Sequence, residues 1–148
     1  MDLILWRHAE AEDGDPGGDD LLRALTPRGE KQAARMAAWL DRQITDNLRI
    51  LCSPALRCEQ TVLPLGRKYK ILDEIAPGTT PQKILEAAQW PKAKQPVLVV
   101  GHQPVLGETA ALLLGARESF SIKKGAAWWF RSRDDGVILV ATMSPEMA

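Results

Sequence analysis

The sequence predicts an α/β protein, a three-layer α/β/α sandwich whose sheet is mainly parallel with an antiparallel edge. Three observations carry that expectation. Short apolar runs, such as Leu3 to Trp6 and Val97 to Val100, have the length and composition of buried strands. Between them lie segments with helical spacing and helix-start signals, so strands and helices alternate. The tail reads differently, as two strands around a tight turn.

The first apolar run ends at Arg7-His8. Residues 8 to 25 follow as a polar, glycine-rich loop, a length that often marks function or mobility. A helix then begins, with Thr26 as N-cap and Pro27 at the first helical position. Ala33, Met36, Ala37, Leu40 and Ile44 share one of its faces. Leu48 to Cys52 reads as the second strand. Ser53-Pro54 repeats the cap-then-proline signal and starts a helix carrying Arg57, which Pro64 should kink or end. Tyr69 to Leu72 is a short third strand, and Pro81 opens a helix through about Trp90. After Val97 to Val100 comes Gly101-His102, then a helix from Pro104 with Val105, Thr109 and Leu112 on one side and Gly115 as its stop. Ala126 to Phe130 and Val137 to Met143 flank a turn near Asp134-Asp135-Gly136. No repeat, low-complexity tract or linker interrupts the chain, so residues 1–148 are expected to form one domain.

Composition narrows the function classes. The 148 residues are 45% hydrophobic and 26% charged, the profile of a soluble globular protein with a real core. Nineteen basic and nineteen acidic side chains cancel, which argues against general binding to nucleic acid or a membrane surface. No apolar run approaches the ~20 residues of a membrane span. The N-terminus lacks a basic region and a cleavage pattern, so a cytoplasmic location is expected. Cys52 and Cys58 are expected to be free and simply packed.

The chemistry lies at strand ends. In an open parallel sheet, ligands bind outside the carboxyl ends of the strands. Arg7-His8, the Ser53 to Arg57 turn and Gly101-His102 would all open on that edge. An imidazole can attack phosphorus, and guanidiniums grip phosphate oxygens bidentately. Both histidines of the chain sit in such places, with Arg7 and Arg57 at hand, so a phosphate site is the expectation. Phosphoryl transfer depends chiefly on this kind of positioning and charge. Other chemistries fail on spacing. Only four residues separate Cys52 from Arg57, one short of a cysteine-dependent phosphatase loop. A calcium loop from Asp13 would need glutamate where Ala24 stands. Two distant histidines without cysteine partners are poor grounds for zinc, and no phosphate-binding loop of the nucleotide-binding type occurs.

Four stretches together resemble the histidine phosphatase superfamily, most closely its small phosphohistidine phosphatases of the SixA type. They are Leu5-Trp6-Arg7-His8-Ala9-Glu10-Ala11, Arg23-Ala24-Leu25-Thr26-Pro27-Arg28-Gly29, Ser53 through Thr61, and Val100-Gly101-His102-Gln103-Pro104. The usual third residue of the first motif is glycine; here it is Ala9, a change that SixA-type members often carry. The resemblance implies a phosphoglycerate mutase-like fold and a hydrolase that uses no metal or cofactor. It implies His8 as a nucleophile that becomes phosphorylated, with Arg7, Arg57 and His102 holding the phosphoryl group. It offers Glu74 as a candidate proton donor and Arg23 as a candidate substrate contact. Glu10 is a weaker candidate for the proton donor, expected rather as a solvated loop acid. The implied partner is a phosphorylated protein, with a histidine phosphotransfer domain among the candidates, and a phosphate or phosphate-mimic anion would fill the site. The rival readings are a phosphatase or mutase for a small phosphoester and a non-catalytic phosphate-binding module.

Overall fold

The computed structural model describes residues 1–148. Six strands form one sheet: β1 (Asp2–Arg7), β2 (Arg49–Cys52), β3 (Lys70–Ile71), β4 (Val97–Gly101), β5 (Ala127–Arg133) and β6 (Gly136–Met143). Their order is β3-β2-β4-β1-β5-β6. The first four are parallel, and β5 and β6 add an antiparallel edge. The helices are α1 (Pro27–Gln43), α2 (Leu56–Val62), α3 (Pro81–Ala87) and α4 (Val105–Leu114). None is long and apolar enough to cross a membrane.

The two-residue period of a strand sends alternate side chains to opposite faces, and here both faces are buried. Leu3, Leu5, Val97, Val99 and Phe130 pack with Ile84 of α3 and with Leu106 and Ala110 of α4. Ile4, Trp6, Leu98 and Val100 pack with Met36, Ala37 and Leu40 of α1 and with Cys58 and Val62 of α2. These two apolar layers make the expected three-layer sandwich. Each fully buried Leu or Ile contributes roughly 1.5–3 kcal/mol relative to exposure.

Local signals set most element ends. The Thr26 hydroxyl accepts from the Gly29 N–H at 2.9 Å and caps α1. Pro64 ends α2 at Val62, and the chain continues as a 3-10 turn over Leu63–Leu65. Gly115 closes α4 in the left-handed conformation, with φ 68°. Four expectations need correction. Ser53 does not cap α2: the helix begins at Leu56 with Ala55 at its cap, and the Ser53 hydroxyl is engaged elsewhere. The helix from Pro81 stops at Ala87 rather than Trp90, because Gln89 turns left-handed at φ 56°. Leu112 is 53% exposed, whereas Val105 and Thr109 are buried as expected, together with Leu106 and Ala110, a stripe hard to read on a helix with so many apolar positions. The loop after His8 is partly ordered, by the 3-10 turn Asp20–Leu22 and a bridge between Ala11 and Leu25.

Gly29 lets α1 press on the backbone just after His8. A Cβ there would stand 2.0 Å from the Glu10 carbonyl oxygen. Gly29→Ala is therefore expected to lower stability by about 1–3 kcal/mol in urea unfolding. An unchanged midpoint would mean that this contact can relax freely.

Candidate active site

The site follows from strand register. Parallel pairing sets Arg7 of β1 opposite Gly101 of β4. The next residues, His8 and His102, therefore leave neighbouring strands side by side. The His8 N–H extends the ladder to the Gly101 carbonyl at 3.1 Å. The two ring centroids lie 5.3 Å apart, with the planes tilted by 59°. On the other flank β2 pairs Cys52 with Val100, and the Ser53 N–H donates to the Val100 carbonyl at 3.1 Å. Arg57 then emerges from the first turn of α2.

Several contacts fix these elements. The Thr61 hydroxyl accepts from the Ala9 N–H at 3.0 Å and donates to the Arg57 carbonyl at 2.7 Å, tying α2 to the backbone beyond His8. The Gly125 N–H donates to the His8 carbonyl at 3.0 Å, and the Gly125 carbonyl accepts from the Trp6 indole at 2.9 Å. Arg7 Nη1 donates to the Ile122 carbonyl at 2.8 Å. His8, Arg57 and His102 are buried, only 8%, 4% and 3% exposed. A hollow of about 390 Å³ lies beside Trp128, Met143 and Lys123.

Proton positions follow from the partners. His8 Nδ1 lies 2.7 Å from the Ala9 carbonyl, which can only accept, so Nδ1 carries the proton. In the neutral ring, Nε2 keeps its lone pair. Burial drives the His8 pKa down to about 4, and the positive charges of Arg57, Arg7 and Arg23 add to the shift. Burial, His8 and Arg57 lower His102 to about 3. Both rings are thus neutral at pH 7. His102 Nε2 lies 2.7 Å from Ser53 Oγ, while Arg57 Nη2 donates toward its Nδ1 at 3.4 Å. A hydroxyl can donate or accept, so Ser53 lets His102 present a proton at Nδ1 when an anion takes the place of that guanidinium contact.

The electrostatics invite an anion. Arg7 Nε and Arg57 Nε are buried with no hydrogen-bond partner. An orphaned, charged donor of this kind is costly and calls for an oxygen from outside the protein. A tetrahedral oxyanion would supply it, with a neutral imidazole nitrogen free to attack its central atom.

The expected residues divide into two groups. Arg7, His8, Arg57 and His102 come together. Arg23 reaches the same region through Asp20: its Nη1 donates to Asp20 Oδ1 at 3.1 Å, and Asp20 Oδ2 accepts from Arg57 Nη2 at 3.0 Å. Glu74 lies in the 3-10 turn Asp73–Ile75, just past β3, exposed and without a side-chain partner. Glu10 is not a solvated acid. Its Oε2 accepts from the Thr26 hydroxyl at 2.7 Å, anchoring the start of α1. Sequence reasoning missed the roles of Ser53, Thr61 and Asp20. The first two lie inside a motif already singled out, and only the acid-rich composition of its loop marked Asp20.

The chain is similar in sequence and in fold to known proteins. The family model of the histidine phosphatase superfamily (branch 1) matches residues 3–79. A phosphohistidine phosphatase SixA homolog from Haemophilus influenzae is 31% identical over 136 residues, covering 82% of each chain. The phosphohistidine phosphatase SixA of Escherichia coli is 31% identical over 122 residues, 76% of this chain and 74% of that one. A solved structure of the protein histidine phosphatase SixA complexed with tungstate superposes with a TM-score of 0.80 at 26% identity, covering 98% of this chain and 97% of the other.

The depressed histidine pKa values have a direct signature. In NMR, neither imidazole should titrate between pH 8 and 5, and His8 should show the Nδ1–H tautomer. Unfolded rings bind protons from about pH 6.5, so stability should fall as pH drops from 6.5 toward 4. A midpoint near 6.5 for either ring in the folded protein would contradict the burial argument.

Proposed function

This chain belongs to the histidine phosphatase superfamily, branch 1, and from that membership we propose that it hydrolyses phosphohistidine on a protein partner through phosphorylated His8. It is a phosphatase; the substrate and the residue roles are our reading. The observation that carries it is the pair of neutral imidazoles 5.3 Å apart beside two arginines with unpartnered buried Nε donors.

In this mechanism His8 Nε2 attacks phosphorus in line. The new bond is Nε2–P, and the bond that breaks joins phosphorus to one nitrogen of the substrate ring, which carries a proton on its other nitrogen and departs as neutral imidazole. Arg7, Arg57 and His102 hold the equatorial oxygens, where charge gathers in the transition state. Water then attacks the phosphoenzyme, releasing orthophosphate and restoring His8. The Ala9 carbonyl keeps Nδ1 protonated throughout the first step, so the lone pair stays on the attacking nitrogen. No step draws on a cofactor, and the whole chain, 1–148, acts as one domain.

Three features support a phosphohistidine protein over a small phosphoester. The curated relatives named above carry that activity in their names. The site residues are recessed, which suits a side chain reaching in from a protein surface. The acids are poorly placed for an alkoxide leaving group: Glu74 is exposed and unanchored, and Glu10 is occupied at α1. A protonated imidazole leaves with less help. The natural partner in this reading is a histidine phosphotransfer domain in cytoplasmic signalling, a setting that the two free buried cysteines support.

Rates on a phosphohistidine protein and on a panel of phosphorylated metabolites test the substrate assignment. A higher kcat/KM on the protein is expected, and a strong preference for one metabolite would overturn it. Glu74→Gln should leave turnover of both a phosphohistidine protein and a phosphomonoester within a few-fold of wild type; a loss of about a hundredfold on the phosphomonoester, the scale of a lost general acid, would contradict this placement. Undiminished turnover on both would remove Glu74 from the mechanism.

A further inference from the structure

We propose that Asp20 is a built-in rival of the phosphoryl group, a carboxylate that occupies Arg57 and Arg23 in the free enzyme and must be displaced for an anion to bind. This rests on the phosphatase reading of the cleft and adds a specificity determinant to it.

The carboxylate spans two guanidiniums. Oδ2 accepts from Arg57 Nη2 at 3.0 Å, and Oδ1 accepts from Arg23 Nη1 at 3.1 Å. The backbone carbonyl of Asp20 also accepts from Arg57 Nη1, at 2.8 Å. Bridging forked donors with two oxygens is what a phosphoryl group does. Hydrogen bonds from Arg23 and Arg57 hold the Asp20 carboxyl below the usual carboxylate range, so it is charged at neutral pH. A cation as buried as Arg57 is costly alone, and Asp20 supplies its counter-charge while the cleft holds no anion.

The contact is also built to break. The Asp20 side chain is 55% exposed, although its partner on Arg57 is buried. It sits on a three-residue 3-10 turn at the end of a loop that bends at Gly14 and Gly17, both left-handed. The carboxylate can rotate into water while the backbone carbonyl keeps its hold on Arg57 Nη1. Arg57 Nη2 and Arg23 then become available together. Arg23 thus enters the site by exchange, and the position expected to touch substrate does so only after Asp20 leaves.

The consequence is selective. A free anion must exchange for the carboxylate and gains little else, so orthophosphate binds weakly and departs readily. A phosphoprotein brings contacts outside the cleft that offset the same exchange. Asp20 therefore discriminates against small free anions without contributing to the chemical step.

Calorimetric titration of the full-length protein with tungstate tests this. Asp20→Asn keeps the shape and removes the charge, and should bind tungstate about tenfold more tightly than wild type, the scale of one charge-assisted hydrogen bond. The orthophosphate inhibition constant should fall by a similar factor. Asp19→Asn is the control. Asp19 caps the same turn through Leu21 N–H but touches neither arginine, so its affinity should match wild type. Equal or weaker binding by Asp20→Asn would overturn the proposal, and so would equal tightening by Asp19→Asn, which would assign the effect to the loss of any negative charge in this loop. Absence of tungstate binding by wild type and Asp20→Asn alike would instead overturn the phosphatase reading, and the proposal with it.

Discussion

The register between β1 and β4 is the constraint on which the rest depends. Pairing Arg7 with Gly101 delivers two histidines, far apart in sequence, to one point at the sheet edge. A slip by one residue would send the side chains of β1 to the opposite faces. It would set Ile4 and Trp6 in the layer that Leu3 and Leu5 now fill, and the mismatch of side-chain volumes in the two apolar layers enforces the register. The geometry of the candidate site is thereby a by-product of core packing. The site needs no flexible loop to assemble its two imidazoles, only two strands that end together.

Charge is managed by the surroundings of that point. Burial keeps both rings neutral, which preserves a lone pair at His8 Nε2, and the arginines reinforce it by opposing a second positive charge. The same arginines leave two Nε donors without partners. Those donors favour an anion in the cleft, and the Asp20 carboxylate already meets Arg57 there. Neutral imidazoles and unsatisfied cations are two results of one arrangement: desolvation penalises imidazolium but cannot remove the charge of a guanidinium.

Much of this was legible in the sequence, for identifiable reasons. Arg7-His8 and Gly101-His102 could be found because each follows an uninterrupted apolar strand, and parallel sheets put ligands at such ends. Thr26-Pro27 gave the start of α1 because capping is a local interaction. The misses involve long-range partners. Ser53-Pro54 has the form of a cap, yet its hydroxyl bonds to His102, 49 residues away. Glu10 reads as a loop acid until α1 folds back on it. The buried stripe of α4 is masked because nearly every position there is apolar, so Leu112 gave no sign of its exposure. Asp20 is one of several acids in a loop, and only the folded chain shows which of them meets Arg57.

The most direct measurement is to trap the phosphoenzyme in a rapid quench and map the modified residue by mass spectrometry under alkaline conditions. The account predicts an acid-labile phosphate on residue 8, lost in His8→Ala and present in His102→Ala at reduced yield. Phosphate on residue 102 or on a carboxylate, or turnover by His8→Ala at the wild-type rate, would contradict it.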